Sequence, residues 1–152
     1  GAKFSLFEGG IRVPAIIRYP GAVPAGAVRD QLATACDWYP TILDLCGIEP
    51  AKHKIDGETI VPVIRSSDAK SPHDLFHWET GKNQWAVRKG DWKLIGNPRD
   101  TSNKAEITEA DKLFLVNLNE DISEMTNIAA QHPQKVEELR ALHEEWKREV
   151  SG

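Results

Sequence analysis

The sequence predicts an α+β fold: a four-stranded antiparallel sheet packed by a C-terminal helix, with a strand and a helix ahead of it. Three observations carry this. Between residues 74 and 118 lie four short runs rich in aromatic and branched apolar residues, separated by turn residues. Gly90-Asp91 stands between the second and third runs and fits a two-residue hairpin turn. After Pro133, the residues Val136, Leu139, Leu142, Trp146 and Val150 recur at helical spacing.

Taken in order, Glu8-Gly9-Gly10 reads as a turn, since adjacent glycines allow positive φ or a close backbone approach. Residues 13–17 read as a strand buried on both faces, because the run lacks polar alternation. Pro14 has no N–H to give a ladder, so that strand begins near Ala15 or sits at a sheet edge. A Pro- and Gly-punctuated loop follows over 20–26, then a short extended segment over 28–34. Asp37 is the expected N-cap of a mostly buried helix over 38–46, with Pro40 in its first turn and Gly47 as its C′ residue. Ile55-Asp56-Gly57-Glu58 is a turn, and 59–64 is a short helical or irregular apolar segment.

The polar, serine-containing stretch 65–72 marks a boundary between two halves, 1–72 and 73–152. The second half supplies strands at 75–79, 85–88, 92–95 and 113–118, with a turn at 81–83 and a polar loop over 97–111 long enough to be functional. Pro133 opens the last helix, which runs to Val150. Its apolar stripe, with Trp146 in the core, covers one sheet face, and Glu144 and Arg148 can pair on the wet face.

The chain of 152 residues has one domain's worth of length, enough for one modest core. Its net charge of −4, from 19 Lys+Arg against 23 Asp+Glu, argues against nucleic acid as a partner. No run of about eighteen apolar residues is present, so no membrane span is expected. Cys36 and Cys46 lie in or beside the same predicted helix, ~15 Å apart at 1.5 Å per residue. A disulfide needs Cα atoms within about 7 Å, so both are expected as free thiols, with Cys46 in the core.

Lys3, in a small-residue context beside the glycine pair, can serve as a fixed cation for an anionic substrate. It also fits an ordinary solvated surface charge. His73 and His77 are four apart and share a face on a strand, but two histidines without a carboxylate do not make a metal site. No metal ligands are therefore assigned.

Lys3 followed by Glu8-Gly9-Gly10-Ile11-Arg12-Val13-Pro14 resembles the sulfatase family of the alkaline phosphatase superfamily. Further segments resemble it in the family's order. These are Asp37-Trp38-Tyr39-Pro40-Thr41, the Ile55-Asp56-Gly57 turn, the hairpin from Ala86 to Ile95, and Leu115-Val116-Asn117-Leu118 followed by Asp121, Glu124 and Asn127. The resemblance implies the C-terminal portion of an arylsulfatase-like protein. Residues 1–72 would be the end of its α/β catalytic domain, with the strand and helix as a remnant of that domain, and 73–152 its C-terminal subdomain.

It implies that Lys3 is catalytic, contacting the sulfate group, and that Glu8 and Arg12 are mainly structural. It also implies that His77, Trp78, Trp85 and Arg88 line a substrate cleft, although an aromatic-rich sheet packs such residues for their area alone. The full-length protein is expected to hydrolyse sulfate esters on a sulfated sugar or aryl sulfate, using calcium and a formylglycine made from Cys or Ser in a Cys/Ser-x-Pro-x-Arg motif. Neither Cys36 nor Cys46 has that setting, so the fragment alone is expected to be inactive. The family is typically periplasmic, secreted or lysosomal.

Two alternatives stay open: a phosphoryl-transfer relative, which Lys3 would serve equally well, and a non-catalytic module binding sugar or protein. An isolated 13–17 strand would leave an unpaired edge, from which oligomers are expected.

Overall fold

The computed structural model describes residues 1–50, 52–81, 83–108 and 110–151. Lys82 of the expected 81–83 turn and Glu109 of the expected 97–111 loop lie outside the described residues. By contacts, the chain forms two compact units. One joins Gly1–Pro14 to the chain from Asp74 onward, and the other is Ala15–His73.

The first unit holds the sheet. Its strands are β1 (Leu75–Glu79), β2 (Trp85–Lys89), β3 (Trp92–Gly96) and β4 (Leu113–Asn117). They lie in the order β1-β2-β3-β4, and every neighbouring pair is antiparallel. Gly90-Asp91 closes the β2–β3 hairpin with Lys89 opposite Trp92. Gly90 has φ 58° and Asp91 is not left-handed, the φ signs of a type II′ turn, which suits strand twist and asks for glycine first.

Period-two alternation sorts the side chains. Val87, Leu94 and Leu115 point to one face and pack with Leu139 of a long helix, Pro133–Val150. Ala86, Ile95, Phe114 and Val116 point to the other and pack with Leu6 and Phe7. The sheet is thus covered on both faces. Phe7 meets Phe114 edge-on, with centroids 5.0 Å apart and planes at 67°. Such pairs add about 0.5–1.5 kcal/mol beyond their buried area. Gly96 is required by close approach: a Cβ there would sit 2.0 Å from the ring of its cross-strand partner Trp85.

The N-terminal arm carries α1, Glu8–Ile11, where the sequence suggested only a turn. Gly9 and Gly10 serve close packing: a Cβ on either would lie 2.0 or 2.1 Å from the carbonyl oxygen of Gly1 or Ser5. The C-terminal helix lacks the expected Glu144–Arg148 pair among the described residues, and Glu144 instead lies 3.8 Å from Arg140, one turn earlier.

The second unit contains α2, Trp38–Cys46, and α3, Val61–Arg65. With α1 and these two, the helix from Pro133 is α4. Gly47 ends α2 in the left-handed conformation, φ 68°, and Ile48 N–H closes the cap on Leu43 at 2.9 Å. α2 is not the mostly buried helix that the sequence suggests. Only Pro40 and Thr41 of α2 are buried, and Thr41 Oγ1 accepts from Ile60 N–H at 3.0 Å. Cys46 is exposed rather than core, and both cysteines are free thiols.

Asp37 does not cap α2 with its side chain. It accepts from Thr34 N–H at 2.6 Å, from Glu58 N–H at 3.0 Å, and from His73 Nε2 at 2.8 and 2.9 Å. One buried carboxylate therefore ties three separated stretches together.

Residues 13–17 form no strand, and 28–34 none either. A strand needs a ladder partner, and no described strand pairs with 13–17. Pro14 also lacks a donor. Val13 and Ile16 are 79% and 96% exposed, and only Ile17 is half-buried, against Ile60, Val63 and Ile64, so the run that read as doubly buried is largely solvated.

Candidate functional site

Lys3 sits on a turn whose backbone the sequence does not favour. Ser5 N–H donates to Ala2 O at 3.1 Å, leaving Lys3 and Phe4 as the central residues. Phe4 has φ 70° while Lys3 does not, the φ signs of a type II turn, whose third position favours glycine or asparagine. A bulky residue held there costs of order 1–3 kcal/mol. Two side-chain hydrogen bonds hold the turn. Thr101 Oγ1 donates to Lys3 O at 3.0 Å, and Ser5 Oγ donates to Arg99 O at 2.9 Å.

The loop that supplies these contacts is folded around Asp100. Its carboxylate accepts from the N–H groups of Ser102, Lys104 and Ala105 and from the Ser102 hydroxyl, at 2.7–2.8 Å. Burial alone would raise its pKa, but the bonds from Ala105, Ser102 and Lys104 outweigh that and hold the carboxyl well below the usual range.

Lys3 itself is exposed. Its Nζ lies 4.9 Å from the Phe4 ring centroid, and no carboxylate among the described residues pairs with it. The charge is therefore available to an external anion.

Behind the turn, an ionic cluster anchors α1 to the sheet. Lys93 alternates with Leu94 on β3 and faces the N-terminal arm, where it is fully buried. Its Nζ donates to Glu8 Oε1 at 2.8 Å and lies 2.9 Å from Glu124 Oε1, an ion pair outside hydrogen-bond alignment. Glu124 Oε2 accepts the backbone N–H of Glu8. Arg88, cross-strand partner of Lys93, places Nη1 3.9 Å from Glu8 Oε2. Two cations thus balance two carboxylates. Burial pushes the Glu124 carboxyl pKa upward, and Lys93 opposes that only in part.

The four residues expected to line a cleft do not converge. His77 and Trp85 lie on the α4 face, where His77 stacks on Trp146 at 4.9 Å and Trp85 on His143 at 4.3 Å. The facing Nδ1 atoms of His77 and His143 are 3.4 Å apart. Burial first, then the His143 charge, lowers the His77 pKa to about 4. Trp78 and Arg88 lie on the opposite face, Trp78 against Phe76 at 4.7 Å and Arg88 Nε donating to Gly90 O at 2.9 Å. The two-residue repeat of a strand separates the pairs. No hydrogen bond, ion pair or ring contact joins any of the four to Lys3.

Sequence reasoning passed over Phe4, Lys93 and Thr101. Lys93 looks like a solvent-facing residue on an alternating strand until the second sheet face is known to be covered. Phe4 carries no signal, because only the backbone shows its strain. Among the described residues, no group of three or more His, Cys, Asp or Glu is placed to hold a metal ion. No helix among them is long and apolar enough to cross a membrane.

An antiparallel sheet covered by a C-terminal helix is the architecture of a known domain. Residues 2–150 match the family model of N-sulphoglucosamine sulphohydrolase, C-terminal, and the chain belongs to that sulfatase family. It is 33% identical over 147 residues to an uncharacterized sulfatase of Schizosaccharomyces pombe, covering 91% of this chain and 25% of that protein. Human arylsulfatase D is 43% identical over 90 residues, 58% of this chain and 15% of the relative. A solved protein in complex with its substrate D-glucosamine-2-N,6-O-disulfate superposes with a TM-score of 0.60 at 29% identity, covering 88% of this chain and 27% of that one. The chain therefore spans about a quarter or less of the length of these relatives.

Proposed function

We propose that this chain serves in a sulfuric ester hydrolase, with Lys3 as a catalytic cation on the sulfate oxygens of a sulfated sugar or aryl sulfate. The observation that carries this reading is Lys3 itself: an ammonium with no carboxylate partner among the described residues, on a turn anchored by Thr101 and Ser5. A fixed donor of this kind stabilises developing oxyanion charge without reorganising in the transition state. The relative that binds a disulfated glucosamine supports a sugar sulfate as substrate class.

Calcium and a formylglycine nucleophile belong to the proposal through the family resemblance. The described residues do not fit either group. They offer no metal-ligand cluster, and neither Cys36 nor Cys46 is followed two residues later by proline. What this chain's residues do is bind and orient the ester: Lys3 meets the sulfate, and the Asp100 loop holds the Lys3 turn in place.

The test is sulfate release by the intact enzyme from an aryl sulfate and from glucosamine 6-sulfate. Lys3→Ala should lower turnover by about 10²–10³, the usual loss for one preorganised oxyanion contact. Unchanged turnover would make Lys3 a surface charge, and hydrolysis of phosphate esters in preference to sulfate esters would favour the phosphoryl-transfer relative.

A further inference from the structure

We propose that Phe4 is a specificity-determining residue: its ring forms a wall beside Lys3 against which the ring bearing the sulfate ester stacks. The inference rests on the assignment of Lys3 as the sulfate-binding cation. Three observations at Phe4 carry it, and none of them involves the fold's own needs. Phe4 occupies the position of a type II turn where φ is 70°, which glycine adopts freely and a phenylalanine does not. Its side chain is 78% exposed, so burial within this chain does not offset the strain. Its ring lies under the Lys3 ammonium, 4.9 Å from Nζ.

Strain that the surrounding structure over-determines is a pointer to function rather than to packing. Here the determination is visible. Thr101 fixes the carbonyl of Lys3, and Ser5 is fixed by both Ala2 and Arg99, so the turn cannot relax by moving Phe4 alone. The ring uses one face to orient the ammonium and leaves its other face and rim in solvent. A sulfate held at Nζ brings the ring that carries it next to that free surface. Aryl rings and the apolar faces of sugar rings both suit an aromatic wall, whereas a flexible alkyl chain gains little from it.

The test uses the intact enzyme and two sulfate esters, 4-nitrophenyl sulfate and the ring-less hexyl sulfate. In Phe4→Gly, the kcat/KM ratio of aryl over alkyl ester should fall about 2- to 12-fold, the worth of one aromatic contact, with the loss in KM. Thermal stability should rise, because glycine suits the backbone there. Phe4→Leu, which keeps the strain and removes the aromatic ring, should lose the same selectivity, and Phe4→Trp should keep it. An unchanged ratio in Phe4→Gly and Phe4→Leu overturns the proposal. So does a marked fall in stability in Phe4→Gly, which would show Phe4 buried against another part of the protein. An enzyme active on glucosamine 6-sulfate alone should show the same loss in Phe4→Gly as a rise in KM for that sugar, and an unchanged KM overturns the proposal. A wild-type enzyme that releases sulfate from neither ester nor from glucosamine 6-sulfate instead removes the sulfatase reading, and this inference with it.

Discussion

Val87, Leu94, Leu115 and Leu139 are fully buried around the sheet, while in the segment 15–73 the buried cluster is only Ile60, Val63 and Ile64, and Ile16 stands 96% exposed. The two regions do not differ in how apolar their best runs are. Residues 13–17 are as hydrophobic as β4. They differ in partnership. Each sheet strand finds its partner residues within 25 positions, the widest pair being Trp92 and Asn117, and both faces are covered by segments of the same unit. The 13–17 run finds none. Burial follows from a hydrogen-bonding partner first and from side-chain chemistry second, because an unpaired buried backbone is costly.

The largest expected break in this comparison is at Lys93. Removing one member of a buried charge cluster leaves the others uncompensated, which typically costs about 3–5 kcal/mol. Lys93→Met should therefore destabilise the sheet unit by that order in chemical denaturation, leaving Glu8 and Glu124 without their shared cation. No exposed lysine of 15–73 should approach it. Equal, small losses at Lys93 and at Lys70 would mean the cluster is solvated and the contrast between the regions false.

A smaller effect separates the regions by pH. His77 is held neutral between sheet and helix, its pKa lowered from 6.5 to about 4 by burial and then by His143. Because the folded value is depressed, the unfolded chain takes up the proton first. Stability from this group is present above 6.5 and is lost as pH falls toward about 4. The charges near its partner His143 are Glu79, Lys147 and Glu144, with Lys147 Nζ bonded to Glu79 at 2.8 Å. Acid should thus loosen α4 from the sheet before it touches α2. Hydrogen exchange should show α4 amides losing protection over this window and α2 amides keeping theirs, with His77→Gln flattening the response. Simultaneous loss in both helices would count against this.

Much of the fold was legible because it rests on local signals. The Gly90-Asp91 turn, the Pro133 start, the Gly47 stop and the strands' aromatic runs each bring their own backbone preference. What was not legible depended on distant partners. Lys93 and Glu8 meet only when α1 lies over the sheet, and nothing in Trp92-Lys93-Leu94 announces a second covered face. Cys46, Val13 and Ile16 were misplaced for the opposite reason: apolar character suggested a core that this chain does not build around them. At the candidate site, Lys3 was singled out through resemblance, whereas Phe4 needed a dihedral angle to draw notice. His77, Trp78, Trp85 and Arg88 were grouped by the family resemblance, and strand alternation divides them between two faces.

The smallest expected effect is at Ile16, and it tests the poor partner in the comparison directly. A side chain 96% exposed gives up almost no burial on folding. Ile16→Ser in this chain should then change its stability by less than about 0.5 kcal/mol, the ordinary range for surface substitutions. It should still matter to association. Val13 and Ile16 are both solvated beside backbone that no described strand pairs with, and unpaired edges with apolar side chains recruit other chains. Light scattering should show the chain self-associating, with Ile16→Ser shifted toward monomer, and amides of 15–17 should exchange far faster than those of 93–95. A loss of more than about 1 kcal/mol in Ile16→Ser, independent of protein concentration, would place Ile16 in a core within one chain, because surface sites away from special features do not reach that size. A monomer with 15–17 fully protected would show that the segment finds a ladder partner after all, and the contrast with the sheet would then be one of degree.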